Sequence, residues 1–339
     1  MVSAGPGRAK LQLLSYETLS QYFQAHEDEV VEIEILPPAI EPLGGILMQD
    51  GLNLGVPKKT LALAYVEARH RFFEGMHDSK LASSALQATK VMLLFDPEHL
   101  TAANFRKGWL GALEAEFKSY NPAVYHKALR QELCFLNSIL TSPLHRQSKS
   151  PTLWYHRLWL LDLLASVELE KASEDQKATF WRAELTAVCK SGEQHPKNYY
   201  AWQYARRLMP KIVSPETNDE FARHVKDWCC RHPSDISGWS FLLSLLPRLH
   251  PVSKRQGLVR DILSYAINLR LEHESLWVFI RTILAQETLL GGRTEFDETL
   301  QNYNDDLGNA KKASAVSERV PRTLNWINTY REAIAVPKN

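Results

Sequence analysis

Residues 196–202 read Pro-Lys-Asn-Tyr-Tyr-Ala-Trp, and this seven-residue motif returns in altered form along the chain. Copies follow as Pro-Ser-Asp-Ile-Ser-Gly-Trp at 233–239 and Leu-Glu-His-Glu-Ser-Leu-Trp at 271–277. An earlier copy is Ser-Lys-Ser-Pro-Thr-Leu-Trp at 148–154, and Pro-Glu-His-Leu-Thr-Ala-Ala at 97–103 has alanine in place of tryptophan. The tryptophans stand at 154, 202, 239 and 277, with spacings of 48, 37 and 38 residues. A period of about 37 residues is typical of two-helix repeats, and the longer step predicts a loop insertion.

Each motif copy reads as the start of a second helix that follows a first one. Proline is tolerated at a helix start because its missing N–H needs no partner there, and Asn198 and Ser234 are the expected N-cap residues. The tryptophan falls one turn into the helix, on the stripe that faces the neighbouring pair. Helix pairs of this kind bury their apolar faces by stacking. The repeat therefore predicts an all-α fold, a right-handed α–α superhelix of stacked antiparallel helix pairs.

Hydrophobic spacing marks where these helices should lie. Helices are predicted over 58–74, 79–94, 100–118, 122–140, 152–168, 174–191, 198–209, 217–230, 236–246, 253–269 and 274–289.

The two ends of the chain lack the repeat. A Gly- and Pro-rich start predicts disorder over the first ten residues, followed by a short helix at 15–25 and an alternating strand at 30–35. Near the other end, paired Gly291-Gly292 and few apolar residues predict a mobile loop. The expected organisation is an N-terminal extension, partly irregular, at 1–57, a helical-hairpin solenoid at 58–290, a mobile loop at 291–320, and a closing helix and tail at 321–339.

Composition restricts the class of protein. The chain has 339 residues, 45% of them hydrophobic, and 33 aromatic residues, which excludes wholesale disorder. Forty basic against 39 acidic residues argue against a surface that binds nucleic acid or anionic lipid throughout. The four cysteines lack CxxC spacing. Residues 1–10 lack the apolar core of a signal peptide. The longest apolar runs are shorter than the ~18 residues needed to span a bilayer. We therefore expect a cytoplasmic protein with reduced thiols and no stable membrane insertion.

The Pro-Lys-Asn-Tyr-x-x-Trp-x-x-x-Arg pattern at 196–206 and Lys-Ser-Pro-Thr-Leu-Trp-Tyr-His-Arg at 149–157 resemble the repeat of protein prenyltransferase alpha subunits. The resemblance covers residues 79–290 and is greatest to the geranylgeranyltransferase type III branch of that family. It implies an alpha subunit that is active only with a beta subunit, expected to be that of Rab geranylgeranyltransferase. The implied reaction transfers geranylgeranyl from its diphosphate to a C-terminal cysteine of a protein substrate, such as a SNARE that already carries one prenyl group. No cofactor is expected on this chain, and zinc and the lipid pocket are expected on the beta subunit.

The resemblance also suggests site residues. Alpha subunits of the family supply a lysine, five residues before the repeat tryptophan, that contacts the diphosphate; Lys149 and Lys197 stand at that phase in this sequence. Lys149, Lys197 and Tyr199 are the candidate catalytic residues, and Asn198 and Tyr200 are candidate substrate-binding residues. The chain departs from the family pattern by Ala103 for tryptophan, Pro151 for tyrosine and Leu242 for arginine.

Other recurring positions of the repeat have a structural interpretation. We expect core packing from the repeat tryptophans Trp154, Trp202, Trp239 and Trp277. Arg157 and Arg206 are expected to pair with acidic residues of adjacent hairpins.

Two alternatives use the same helical repeat without chemistry. One is a non-enzymatic scaffold that binds peptide partners, although the small-residue pattern of 34-residue tetratricopeptide repeats is missing. The other is RNA binding, suggested by basic pairs such as Arg206-Arg207, but a repeated polar code on the second helices is absent. Histidines and cysteines show no zinc-site spacing, so no metal site is expected on this chain.

Overall fold

The computed structural model describes residues 6–42, 45–292, 294–309 and 315–335, so the first five residues of the expected disordered start and the last four of the expected tail lie outside it. The chain divides into two compact units, residues 1–204 and 205–339. No helix within the described residues has the length and hydropathy needed to cross a bilayer.

The first unit contains an N-terminal helix, three short strands and the first helical pairs. Its elements are α1 Pro6–Ala25, β1 Glu32–Leu36, β2 Met48–Asp50, β3 Asn53–Pro57, α2 Lys58–Gly75, α3 Ala82–Phe95, α4 Leu100–Phe117, α5 Pro122–Leu140, α6 Pro151–Glu168, α7 Glu174–Gln194 and the first part of α8 Tyr199–Leu208.

The second unit contains helices joined by turns, and no strand occurs among its described residues. Its elements are α9 Pro215–Arg231, α10 Ile236–Leu245, α11 Val252–Asn268, α12 Glu274–Leu284, α13 Glu287–Leu290, α14 Thr294–Asn309 and α15 Ala315–Ala335.

The all-α repeat prediction is confirmed. Each helix predicted between residues 58 and 289 is present, with ends that agree to within three residues, apart from the last. That helix is split at Ala285 and Gln286 into α12 and α13. Asn198 caps α8 as expected, since its Oδ1 accepts a hydrogen bond from the Ala201 N–H at 3.3 Å. Ser234 was the wrong cap for α10, because Asp235 accepts the N–H groups of both Ser237 and Gly238 there.

The N-terminal segment is more ordered than its composition indicates. The disorder expected over residues 6–10 is wrong, because α1 begins at Pro6 and buries Leu19 and Phe23. The strand expected at 30–35 is present as β1, in a sheet of order β1-β3-β2 whose β1–β3 pair is parallel. The edge of β1 contacts α5, where Ser138 Oγ accepts the Val31 N–H at 2.9 Å.

The mobile loop expected at 291–320 is also wrong for the described part of that range. Helix α14 occupies 294–309, and α15 begins at Ala315 rather than at 321. The helix is mostly polar, but Phe296, Leu300 and Tyr303 stand three to four residues apart and all three are buried. One narrow apolar stripe is sufficient to pack a helix, and overall composition conceals such a stripe.

The repeat tryptophans lie inside the helical pairs. All four indole side chains are buried, with at most 3% of any one exposed. Three of them make the same hydrogen bond to the carbonyl oxygen six residues earlier, from Trp154 to Ser148, from Trp239 to Pro233 and from Trp277 to Leu271, at 2.8–3.0 Å. The tryptophan therefore fixes the loop that leads into its own helix as well as the core.

Buried ion pairs connect successive hairpins of the first unit. Arg157 of α6 contacts Glu184 of α7, as expected, and both side chains are almost fully buried. Arg106 of α4 makes the equivalent pair with Glu132 of α5, with Nε donating to Oε1 at 2.8 Å. In the second unit, Arg206 donates to the Ser240 hydroxyl at 2.8 Å. The structure thus identifies the carboxylate partners of Arg157 and Arg106.

Candidate functional site

Two neighbouring loops of the first unit form the candidate site, and we call residues 148–150 and 196–200 the lysine rim. Lys149 Nζ donates to the Pro196 carbonyl at 3.4 Å. Asn198 Nδ2 donates in the other direction, to the Ser148 carbonyl at 2.9 Å. Because each loop bonds to the other, Lys149 and Lys197 are brought to the same part of the surface.

The Lys149 loop is held on both sides of the lysine. Before it, the Ser148 carbonyl accepts the indole N–H of Trp154 at 2.8 Å. After it, the Ser150 hydroxyl caps α6 by accepting the Leu153 N–H at 3.1 Å. With its backbone fixed at both neighbours, Lys149 has freedom only in its long side chain, which is partly exposed.

Lys197 has a left-handed backbone conformation, with a φ of 60°. This region is uncommon for a residue with a Cβ and costs of order 1–3 kcal/mol. The Lys197 carbonyl accepts the Tyr199 N–H at 2.9 Å, which closes the turn just before α8. The turn leaves the Lys197 side chain exposed beside the N-terminus of α8.

The two helix N-termini at the rim differ in their surroundings. The first turn of α6 faces Glu98, whose carboxylate accepts the hydroxyls of Ser150 and Thr152. Helix α8 has no acidic residue in its first turn. A helix N-terminus attracts anions through its N–H groups and its dipole. The α8 side of the rim, with its two lysines, is therefore the part suited to bind an anion such as a diphosphate.

The other candidate residues divide into exposed and buried ones. Tyr199 is 56% exposed, its ring is 5.4 Å from that of Tyr200, and its hydroxyl accepts from Gln203 at 2.6 Å. Asn198 is fully buried, and its amide nitrogen also donates to the Ser191 hydroxyl at 3.0 Å. The expected substrate contact by Asn198 is therefore not what the structure shows, because its polar atoms are used to join the two rim loops.

Sequence reasoning missed the histidine beside the rim. His195 ends α7, is buried with 9% exposed, and its ring centroid is 5.5 Å from that of His145. Burial lowers the pKa of His195, and the nearby His145 and Lys149 lower it further. These effects outweigh a hydrogen bond between the ring and the Ser142 backbone, which raises the pKa. The available signal was the His-Pro-Lys order at 195–197, in which the histidine directly precedes the proline of the repeat motif.

A buried carboxylate lies beneath the rim. Glu184 of α7 accepts hydrogen bonds from Arg157 of α6 and from the Tyr204 hydroxyl of α8. The Tyr204 ring is 5.1 Å from the Trp154 ring, and Asn137 Oδ1 accepts Arg157 Nε at 3.1 Å. Burial raises the pKa of Tyr204 well above its ordinary value, so this phenol stays protonated and donates. Glu184 thus connects α6 and α8, the two helices that begin at the rim loops.

A second buried cluster lies at the preceding hairpin. Glu132 accepts from Arg106 and stands 3.3 Å from the His156 Nε2. Burial alone would raise the pKa of Glu132, but Arg106 and then His156 outweigh it and the pKa is lowered. For His156 the desolvation is greater than the attraction of Glu132, and its pKa falls to about 4. This histidine is neutral at physiological pH and has a structural role.

Comparison with known proteins gives a family-model match and several relatives. A family model described as the ECM9 middle domain matches residues 153–257. The geranylgeranyl transferase type-2 subunit alpha of Rattus norvegicus is 29% identical over 187 residues, covering 55% of this chain and 29% of the relative. The protein of that name from Saccharomyces cerevisiae is 25% identical over 223 residues, covering 62% of each chain.

The matched relatives share one description and differ in length. The Homo sapiens protein of the same name is also 29% identical, again over 55% of this chain and 29% of the relative. The chain thus spans less than a third of the length of these mammalian relatives and about three fifths of the yeast one. The segment that the family model matches, residues 153–257, includes the buried Trp154, Trp202 and Trp239. This chain is a relative of the protein prenyltransferase alpha subunits.

Proposed function

We propose that this chain is the alpha subunit of a heterodimeric protein geranylgeranyltransferase. The observation that carries the proposal is the lysine rim, in which Lys149 and Lys197 lie on two mutually bonded loops beside the N-terminus of α8. The names of the relatives support the same class of enzyme.

The proposed reaction explains why two lysines are useful at this position. A thiolate of the protein substrate forms a C–S bond with C1 of the prenyl group while the C1–O bond to the diphosphate breaks. Negative charge grows on the departing diphosphate, and positioned cations and helix N-termini stabilise such charge best in the transition state. Lys149 and Lys197 would supply the cations, and the exposed Tyr199 hydroxyl would donate a further hydrogen bond.

The remaining parts of the site are proposed for a partner. The beta subunit, by resemblance that of Rab geranylgeranyltransferase, would hold the zinc ion and the lipid pocket, with geranylgeranyl diphosphate as co-substrate. The zinc would lower the pKa of the acceptor thiol and bind its thiolate. The acceptor is proposed to be a C-terminal cysteine of a protein that already carries one prenyl group, such as a SNARE.

Single-turnover transfer by a reconstituted heterodimer tests the proposal. Lys149→Ala should reduce the rate of transfer about 10-fold. Loss of one charge donor in other enzymes typically reduces the rate by about 10²–10³-fold, and we expect a smaller effect here because residues of the beta subunit would also stabilise the diphosphate. Lys197→Ala should have a smaller effect, and both variants should assemble with the beta subunit normally.

Lys177→Ala is the matched control, since Lys177 is a surface lysine in the first turn of α7 that pairs with Glu174 at 2.8 Å, away from the rim. Equal rates for wild type, Lys149→Ala and Lys177→Ala would remove the rim from catalysis. Failure to copurify with any prenyltransferase beta subunit would reject the enzyme proposal and favour a peptide-binding scaffold.

A further inference from the structure

His195 lies directly behind the lysine rim and differs from an ordinary core histidine in its polar contacts. Its Nε2 atom is buried and has no hydrogen-bond partner among the described residues. The ring hydrogen bonds to the Ser142 backbone carbonyl, which leaves Nε2 as an unprotonated lone pair in the neutral ring. A buried polar atom without a partner is unfavourable. Such an atom next to the rim that carries Lys149 suggests a function that the resting structure does not satisfy.

The charged and titratable neighbours of His195 explain why its ring is neutral. His145 and Lys149 both come from the loop between α5 and α6, and both lower the pKa of His195 in addition to its burial. Lys197 follows two residues later on the same loop as His195. A proton on Nε2 would add a positive charge close to Lys149, which is unfavourable until an anion arrives.

We propose that His195 is a positioning residue of the rim that takes up a proton when a diphosphate binds beside Lys149 and Lys197. The inference rests on the proposed function, since it requires the rim to bind a diphosphate. The bound anion reverses the local charge, so the protonated ring becomes favourable and its positive charge reinforces both lysines. Anion affinity should then strengthen as the pH falls, because binding and proton uptake are linked.

The sequence contains a matched control at the same repeat phase. His232 precedes Pro233 just as His195 precedes Pro196, and it likewise ends its helix. Its Nδ1 lies 2.9 Å from the Trp228 carbonyl, its ring stacks on Trp228, and serine replaces lysine at the following phase position. Addition of diphosphate should therefore not change the protonation of His232.

Two measurements on the full chain test the inference, with inorganic diphosphate as the probe. In NMR titrations of the histidine rings, the midpoint of His195 should rise by about one pH unit on addition of diphosphate, and that of His232 should not move. Calorimetry in two buffers of different ionisation enthalpy counts the protons taken up. Wild type and His232→Gln should take up more protons per diphosphate than His195→Gln, with up to ~10-fold stronger binding for each unit by which the pKa rises.

The outcomes separate this inference from the proposed function. If diphosphate binds, Lys149→Ala weakens it, and the His195 midpoint stays unchanged, the inference is overturned while the rim remains an anion site. If diphosphate does not bind, or binds equally to wild type and Lys149→Ala, both are overturned. The wild-type NMR titration needs no variant, so poor folding of His195→Gln does not affect the decision.

Discussion

Replacing Glu184 with glutamine tests the buried network beneath the rim. The substitution keeps the shape of the side chain and removes its charge, which leaves the buried Arg157 guanidinium without a counter-ion. Removing one partner of a buried pair typically costs ~3–5 kcal/mol, against a total stability of ~5–15 kcal/mol for a domain. For a unit of about 200 residues this lowers the melting temperature by about 6–20 °C.

The assay is thermal and chemical unfolding of Glu184→Gln, Arg157→Met and the double variant. In the double variant the unpaired charge is gone, so its free energy of unfolding should exceed the value expected from adding the two single losses. Arg260→Gln is the control, because the Arg260–Glu295 pair is exposed on both sides and should leave the melting temperature unchanged. Small and additive losses for the two single variants would show that the pair is hydrated and that the buried network described above is wrong.

Other parts of the structure give further predictions. Trp202→Ala should cost ~3–5 kcal/mol, measured by denaturant unfolding, because the indole is fully buried. Ser142→Ala should cost ~1–3 kcal/mol, since the buried Ile33 N–H loses its acceptor at 2.8 Å. Leu300→Ala should cost ~2–5 kcal/mol if α14 packs as described, and a change near zero would restore the mobile-loop prediction. Because the pKa of His156 is lowered to about 4, the unfolded chain binds a proton at a higher pH than the folded chain does. Up to about 3 kcal/mol of stability that is present above pH 6.5 is therefore lost as the pH falls to about 4. His156→Gln should make the free energy of unfolding depend less on pH in this range.

The helical repeat could be predicted from the sequence because one rare residue marks its phase. Tryptophan recurs at spacings of 48, 37 and 38 residues, and in three of the four copies the structure gives it the same hydrogen bond to the carbonyl six residues earlier. Local signals of this kind depend on a few neighbouring residues only. The helix ends from 58 to 268 agree with the prediction to within three residues for that reason.

Features that depend on contacts distant in sequence were not predictable in the same way. The ordering of the N-terminal segment depends on Ser138 and Ser142, more than 100 residues from the strand that they bind. Helix α14 was missed because its polar composition outweighed a stripe of three buried side chains. At the rim, the lysine phase was visible, but the bonds between the two loops and the burial of Asn198 were not.

The buried carboxylate Glu184 connects the two helices that follow the lysine loops. It accepts hydrogen bonds from Arg157 of α6 and from Tyr204 of α8, and these helices begin at the loops that present Lys149 and Lys197. A buried pair of this kind also occurs as Arg106–Glu132, in a copy that has Glu98 at the lysine phase, so the pair alone does not mark the site. A fixed distance between two loops matters most where both loops bind one ligand, so the connection that Glu184 makes between α6 and α8 favours a rim that is built as a single site. Glu184→Gln should then weaken diphosphate binding as well as stability, whereas Trp239→Ala, which breaks a core position outside the first unit, should affect stability alone.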